Sequence, residues 1–204
     1  MGGKITALEV AARAGVSRSA VSRVFTPGAS VSKSTADKVR KAADALGYRP
    51  NVIARSLITG RSRIIGLVVA YLENQFYPEA IERLSKSMQA QGYHLLVFMA
   101  SNDAEETEGV IQELLDYQVD GIIAASVGLS NDLTQRCAAA GIPVVLFNRS
   151  QPEMGLSSVT SANFEGGRKL ADFLVAGGHR RIGHIAGWEG ASTQIEREAG
   201  FVAG

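Results

Sequence analysis

Four continuous apolar runs, separated by segments with helical spacing of apolar residues, dominate the chain from residue 64 onward. The runs are 64–70 (IIGLVVA), 93–100 (YHLLVFMA), 119–126 (VDGIIAAS) and 142–148 (IPVVLFN). Strands that are apolar at nearly every position are buried on both faces, which is typical of a parallel sheet covered by helices. The pattern therefore predicts an α/β core built on a parallel sheet.

The polar segments that follow these strands are the predicted binding edge of the core. Helices are predicted between the strands over 77–92, 104–118 and 131–141. In open sheets of this kind, ligands bind beyond the carboxyl ends of the strands. Those ends are residues 70–77, 100–103, 126–128 and 148–150.

The charge of the chain is divided unevenly along its length. Residues 1–63 contain twelve Lys and Arg against three Asp and Glu, a net of +9, whereas the remaining residues contain nine against seventeen, a net of −8. A small basic module joined to an acidic globular body is typical of a nucleic-acid-binding protein with a regulatory domain. A merely basic, soluble surface is the alternative that charge alone leaves open.

The basic module contains two short helical patterns joined by a glycine. Thr6 and Glu9 complete a capping box for a helix that ends at Gly15. Ser17 is a good N-cap for a second helix, which runs to about residue 25. Two short helices joined by such a turn form a helix-turn-helix, whose second helix enters the major groove of DNA.

The second helix has one apolar stripe and one polar face, so its periodicity argues against a solvated basic loop. An arginine on such a face can donate two hydrogen bonds to guanine, worth roughly 1–3 kcal/mol of discrimination. A third helix, begun by Ser32 or Ser34 and ended by Gly47, is predicted to bury the apolar side. The polar face comprises Arg18, Ser19, Ser22 and Arg23.

Three stretches in collinear order carry a family resemblance: LEVAARAGVSRSAVSRVF, VSKSTADKVRKAADALGYRPN and ARSLITGRSR. Together they resemble the headpiece and hinge of the lactose-repressor (LacI/GalR) family in spacing as well as in residue type. The resemblance implies that Arg18 and Ser19 choose the operator sequence. Thr26 departs from the usual asparagine, with an effect expected on local capping. The implied DNA-binding set is Thr6, Ser17, Arg18, Ser19, Ser22, Arg23, Asn51, Ala54 and Leu57.

Residues 51–58 form a short mixed segment after Pro50, which taken alone is compatible with a linker. The resemblance implies instead a hinge helix that orders on DNA beside its dimer mate, with Leu57 wedged into the minor groove and Ala54 close by. An apolar wedge that unstacks a base step kinks the duplex. We expect Leu57→Ala to lower operator affinity and DNA bending, and unchanged bending in a gel-shift assay would contradict this.

The remainder of the chain resembles the effector-binding core of the same family, which is itself similar to periplasmic sugar-binding proteins. The aromatic rings of Phe76 and Tyr77 suit a sugar or a purine, although either ring could instead cover the sheet edge. Asn148 stands where the family often has Asp, which favours a neutral, hydroxyl-rich ligand. Ile195 and Glu198 depart from the usual residues of their helix. The implied effector set is Phe76, Tyr77, Asn148, Arg149, Thr193 and Arg197.

The predicted fold class is an all-α helix-turn-helix headpiece plus a parallel-sheet α/β core that is periplasmic-binding-protein-like, with its second lobe incomplete. A two-lobed core of the family needs substantially more chain, so we expect an N-terminal fragment that by itself binds effector poorly. The predicted domains are a headpiece over 1–50, a hinge helix and linker over 51–62, a first lobe over 63–158 and the start of a second lobe over 159–204.

The predicted function is sequence-specific transcriptional regulation, with repression the favoured mode. The protein would act as a homodimer on double-stranded operator DNA, and a small effector, in the first place a sugar, would modulate its affinity. The alternative is a sugar-binding α/β protein with a non-specific basic extension.

Catalytic chemistry has little support in the sequence. The three histidines lack metal-ligand spacing, and GGHRRIGHIAG fits neither a P-loop nor a dinucleotide fingerprint. We therefore expect no enzyme activity, catalytic residue, metal or cofactor. Cys137 is the single cysteine, the N-terminus lacks the apolar core of a signal peptide, and the apolar runs are too short for a membrane span. A bacterial cytoplasmic, nucleoid-associated protein without a membrane partner is the expectation.

Overall fold

The computed structural model describes residues 5–26, 28–50, 60–101 and 103–204. The chain forms two compact units, residues 1–62 and 63–204. The predicted hinge helix, with Asn51, Ala54 and Leu57, lies outside the described residues. No described helix is long and apolar enough to cross a membrane.

The first unit contains three helices, α1 (Ala7–Ala14), α2 (Arg18–Val24) and α3 (Lys33–Leu46). Each begins at a hydroxyl N-cap whose oxygen accepts a backbone N–H bond, as the sequence predicts. α1 and α3 end at glycines in the left-handed conformation, which lacks a steric penalty only for glycine. The helices enclose a small core of Val10, Ala11, Val21, Val39, Ala42 and Ala43.

The second unit is built on five parallel strands in the order β2-β1-β3-β4-β5. Four of them end in register, because Val69 pairs with Ala125, Ala125 with Phe147, and Phe147 with Val159. The predicted parallel sheet is thus confirmed. Its strands are β1 (Ile64–Val69), β2 (His94–Met99), β3 (Gly121–Ala125), β4 (Val144–Phe147) and β5 (Ser157–Val159).

Helices cover both faces of this sheet. On one face, Leu67, Val69 and Ile123 pack with the first helix of the unit. On the other face, Ile111, Leu133 and their neighbours form the larger core cluster. The helices are α4 (Phe76–Ala90), α5 (Ala104–Asp116), α6 (Asn131–Ala139), α7 (Asn163–Ala176) and α8 (Ser192–Ala203).

Two features characterise the region after β4. Residues 182–188, which follow α7, have no regular secondary structure, and Ile185 is 98% exposed. A strand needs a neighbouring strand for its backbone hydrogen bonds, and the described residues provide none there. In addition, β5 pairs with β4 at the edge of the sheet, and the predicted lobe boundary at residue 158, which stays a prediction, lies within this strand.

Candidate functional site

The start of α2 is held by two serine hydroxyls. The Ser17 hydroxyl accepts the Ala20 N–H at 3.2 Å and shares a 2.9 Å hydrogen bond with the Ser19 hydroxyl. Before it, Gly15 turns the chain with φ of 65°, and the Val16 N–H donates to the Ala11 carbonyl at 3.1 Å. The turn between α1 and α2 is therefore fixed by local hydrogen bonds.

The two faces of α2 have opposite characters. Val21 is fully buried in the three-helix core, whereas the predicted polar face is exposed. Within the described part of the chain, neither Arg18 nor Arg23 forms an ion pair. Their guanidinium groups are therefore available to phosphates or base edges. The exposed set is Arg18, Ser19, Ser22 and Arg23.

Two threonines of this unit act as caps. The Thr6 hydroxyl donates to a Glu9 carboxylate oxygen at 2.8 Å, and the Thr6 N–H donates to the same oxygen at 2.7 Å. These bonds hold the pKa of Glu9 below its ordinary value, the backbone bond having the larger effect. Thr26 donates its hydroxyl to the Ser22 carbonyl at 2.9 Å. The departure from asparagine at this position thus supplies a cap at the end of α2.

A cleft of about 470 Å³ opens at the carboxyl ends of β1, β3 and β4. Residues 100, 101 and 103, the described residues of the predicted edge after β2, do not line it. All six residues of the predicted effector set line this cleft. The full lining is Tyr71, Asn74, Phe76, Tyr77, Ser126, Asn148, Arg149, Ser161, Gly187, Trp188, Ala191, Thr193, Gln194 and Arg197.

Tyr77 of α4 connects two strand ends, those of β3 and β4, under the floor of the cleft. Its side chain is 2% exposed, and its hydroxyl accepts a bond from the Asn148 amide at 2.9 Å and hydrogen-bonds the Ser126 hydroxyl. Asn148 has φ of 59°, a left-handed conformation that asparagine tolerates better than most residues. Burial, followed by a hydrogen bond with Tyr77, raises the pKa of Tyr71.

Phe76 both lines the cleft and covers the sheet. Its ring stacks on Phe147 of β4 with centroids 5.8 Å apart and an interplanar angle of 7°. The Phe76 N–H donates to the Asn74 side chain at 2.9 Å, which fixes the start of α4. The two alternatives considered for this ring, a ligand contact and a cover for the sheet edge, are therefore compatible.

Arg149 is buried against an aromatic ring. It is 7% exposed, and its guanidinium carbon lies 4.9 Å from the ring centroid of Trp188, a cation–π distance. Burial lowers the pKa of Arg149, with a smaller opposite effect from Tyr71 and Tyr77. The guanidinium remains charged at neutral pH because an arginine starts from a very high pKa.

Thr193 and Arg197 are brought to the cleft by α8. The Arg197 Nε–H donates to the Asn163 side-chain oxygen at 2.9 Å, and the Asn163 amide donates to Glu196 at 3.1 Å. Glu198, a departure from the family pattern, accepts a bond from Gln194 at 3.2 Å. The first turn of α7 and the second turn of α8 are thus joined by a polar network next to the cleft.

Several lining residues were not named individually from the sequence. Tyr71, Asn74 and Ser126 fall inside the predicted strand-end segments, so the strand-end rule contained the signal that locates them. Trp188 was missed because it lies in a segment without regular secondary structure, where the sequence has no helical or strand periodicity from which its position could be predicted. Gln194, on α8, was missed although it is adjacent to Thr193.

Comparison with known proteins gives two matches to sequence families. Residues 65–204 match a family described as a periplasmic binding protein domain. Residues 6–51 match the bacterial regulatory proteins of the lacI family.

Individual relatives and one solved structure extend these matches over nearly the whole chain. The maltose regulon regulatory protein MalI of Escherichia coli is 33% identical over 201 residues, covering 98% of this chain and 59% of that protein. The sucrose operon repressor of Streptococcus mutans is 35% identical, covering 95% and 59%. The lac repressor dimer bound to operator and the anti-inducer ONPF superposes with a TM-score of 0.83 at 29% identity, covering 98% and 61%. The chain therefore spans about three fifths of the length of these relatives.

Proposed function

Because the chain belongs to the LacI family of bacterial regulatory proteins, joining that family's helix-turn-helix domain to a periplasmic binding protein domain, we propose that it is a sequence-specific DNA-binding transcriptional regulator. Repression is the favoured mode, since relatives include the sucrose operon repressor. The operator is double-stranded DNA, and the protein acts on it as a homodimer in the cytoplasm, without enzymatic activity.

The observation that carries this proposal is the division of α2 into two faces. Val21 is fully buried, whereas two serines and two arginines are exposed on the other face of this second helix, and the arginines form no ion pair with any residue that the structure describes. In this motif the N-terminal part of the second helix reaches base edges in the major groove. Arg18 and Ser19 occupy that part, so we assign them the choice of operator sequence. Ser22, Arg23 and the caps Thr6 and Ser17 contribute contacts that position the helix.

The hinge residues complete the DNA-binding part of the proposal. Asn51, Ala54 and Leu57 are assigned to it on the family resemblance, with Leu57 as the wedge in the minor groove.

The second half of the proposal concerns the cleft. We assign effector contacts to Phe76, Tyr77, Asn148, Arg149, Thr193 and Arg197, all of which line it. Polar side chains around an aromatic floor suit a small hydroxylated molecule such as a sugar. Effector binding in the cleft would change operator affinity at the headpiece through a coupling free energy between these two sites.

Selection of operator sites from random duplexes, followed by fluorescence anisotropy, tests the proposal on the intact natural protein. We expect Arg18→Met to weaken binding to the selected operator by about 5- to 150-fold, the equivalent of one bidentate base contact. Arg83→Met is the matched control, because Arg83 is an exposed arginine of the second unit that is paired with Glu79. Binding to selected and random duplexes with equal affinity would refute the proposal and favour a non-specific basic extension.

A further inference from the structure

Arg63 has a backbone conformation that its residue type disfavours. Its φ is 57°, in the left-handed region, where the Cβ of a residue other than glycine crowds a neighbouring carbonyl oxygen. Among the residues that the structure describes, three other non-glycine residues have a positive φ, and two of them, Ser126 and Asn148, line the cleft. A strained residue persists only where its surroundings fix it, and such residues cluster at functional sites.

Arg63 is held in this conformation by hydrogen bonds to the beginnings of two neighbouring strands. Its N–H donates to a carboxylate oxygen of Asp120 at 3.0 Å, and its carbonyl accepts the His94 N–H at 2.9 Å. The Asp120 N–H donates in turn to the carbonyl of Ile64 at 2.8 Å. Asp120 therefore binds the chain on both sides of the Arg63 Cα atom, once through its side chain and once through its backbone.

The joint formed by Arg63, His94 and Asp120 lies at the amino ends of β1, β2 and β3. The cleft lies at the opposite edge of the same sheet, beyond the carboxyl ends. Arg63 is also the first residue of the second unit, and it directly follows the hinge segment, residues 51–62, which comprises the predicted hinge helix and linker. The joint thus fixes the direction in which the chain enters β1, and it belongs neither to the cleft nor to the exposed face of α2.

We propose that Asp120 is a positioning residue for operator binding, because it holds Arg63 in the left-handed conformation that sets the direction of the hinge segment before it. This deepens the proposed function and rests on it. A carboxylate that accepts a backbone N–H forms a charge-assisted hydrogen bond, which is strong enough to offset a disfavoured conformation. Without this bond residue 63 returns to commoner conformations, the hinge segment leaves the core in several directions, and ordering it on the operator costs entropy.

The first test compares Asp120→Ala with Asp103→Ala in the intact natural protein, by fluorescence anisotropy with the selected operator and with random duplexes. Asp103 is the matched control, because it also accepts backbone N–H bonds in the second unit, at the start of α5. Each variant loses one negative charge, which by electrostatics alone strengthens binding to any duplex. We expect Asp120→Ala instead to weaken operator binding by about 2- to 30-fold, the range for residues that couple distant sites. Asp103→Ala should not weaken it.

A second test asks whether Asp120 acts through the conformation of residue 63. Glycine adopts a positive φ without the penalty that alanine has, and Arg63→Gly and Arg63→Ala lose the same charge. In the Arg63→Ala background, Asp120→Ala should again weaken operator binding by about 2- to 30-fold. In the Arg63→Gly background the loss should be less than about 2-fold, because the bond is no longer needed to offset the conformation. A residue that merely stabilises the fold would cause the same loss in both backgrounds.

Amide hydrogen exchange at residue 63, measured without DNA, reports on the hydrogen bond itself. We expect faster exchange in Asp120→Ala than in the wild type, and unchanged exchange in Asp103→Ala. Asp120→Asn keeps the shape of the side chain and loses its charge, so it gives the same comparison, with a smaller loss of affinity, if Asp120→Ala does not fold.

Operator binding that is unchanged or stronger in a folded Asp120→Ala protein would refute the positioning role and leave the regulator intact. Equal losses in the Arg63→Gly and Arg63→Ala backgrounds, or an unchanged exchange rate at residue 63, would also overturn it. A wild-type protein that binds the selected operator and random duplexes equally would refute the proposed function itself, together with the positioning role that rests on it.

Discussion

The crossing of α7 and α8 depends on two glycines, and substitution of either one should separate the helices. A Cβ on Gly167 would lie 2.2 Å from the Arg197 carbonyl oxygen, and a Cβ on Gly200 would lie 2.0 Å from the Phe164 carbonyl oxygen. Carbon atoms in ordinary contact are about 3.5 Å apart, so Gly167→Ala requires a movement of about 1 Å. Gly166, the neighbour of Gly167 on α7, is exposed and has no atom within 4 Å of its Cβ position.

Because Gly166 and Gly167 are neighbours on one helix, the cost of the close contact follows from the difference in unfolding free energy between their alanine variants. Gly166→Ala should stabilise by about 0.5–1 kcal/mol, because alanine loses less backbone entropy than glycine in a helix. Gly167→Ala should destabilise by about 1–3 kcal/mol net, the usual cost of overpacking a tight contact. The two single-methyl variants should therefore differ by about 1.5–4 kcal/mol in their free energy of unfolding.

Thermal and urea unfolding of the intact natural protein, followed by circular dichroism, measures this difference. At about 2–4 °C per kcal/mol for a domain of this size, Gly167→Ala should unfold well below Gly166→Ala. Gly200→Ala should behave like Gly167→Ala, since it meets the same helix crossing from the other side. Equal Tm values for Gly166→Ala and Gly167→Ala would refute the inference that backbone contact sets the distance between the helices.

Three further predictions concern single hydrogen-bonded groups. Ser17→Ala removes the cap of α2 and should lower headpiece stability by about 1 kcal/mol, measured by amide exchange at Val21. Glu9 has a lowered pKa, so its contribution to stability is present at neutral pH and is lost as pH falls from the ordinary glutamate value through the lowered one; Glu9→Gln should flatten the acid limb of headpiece Tm against pH. Tyr77→Phe leaves the Asn148 amide with only its 3.5 Å bond to Ser126 and should cost about 1–3 kcal/mol in urea unfolding, whereas an unchanged midpoint would show that water replaces the hydroxyl.

The elements of the fold follow closely from local sequence. Ser17 and Ser32 begin helices because each hydroxyl accepts a hydrogen bond from the backbone N–H three residues further on. Both partners of this bond lie within one helical turn, so the local sequence is sufficient to predict it. The strands follow from the apolar runs, since a segment without a polar face can only be buried on both sides. Even the cleft was located in outline, because parallel strands place their carboxyl ends at one edge of the sheet.

The composition of the cleft depends on contacts between segments far apart in the chain. Of the four predicted strand ends, the one after β2 gives no described residue to the cleft, and no local pattern in the sequence marks this difference. Trp188 covers Arg149 from a segment without periodicity, 39 positions further along the sequence.

Sequence alone thus determined the helices, the strands, the basic headpiece and the family, because each depends on residue type and on neighbours within a turn or a strand. Tertiary structure alone decided that Arg149 is buried against Trp188 and that Gly167 and Gly200 meet carbonyl oxygens of the opposite helix. Burial and van der Waals contact are properties of the atoms that surround a residue, and those atoms come from distant parts of the chain.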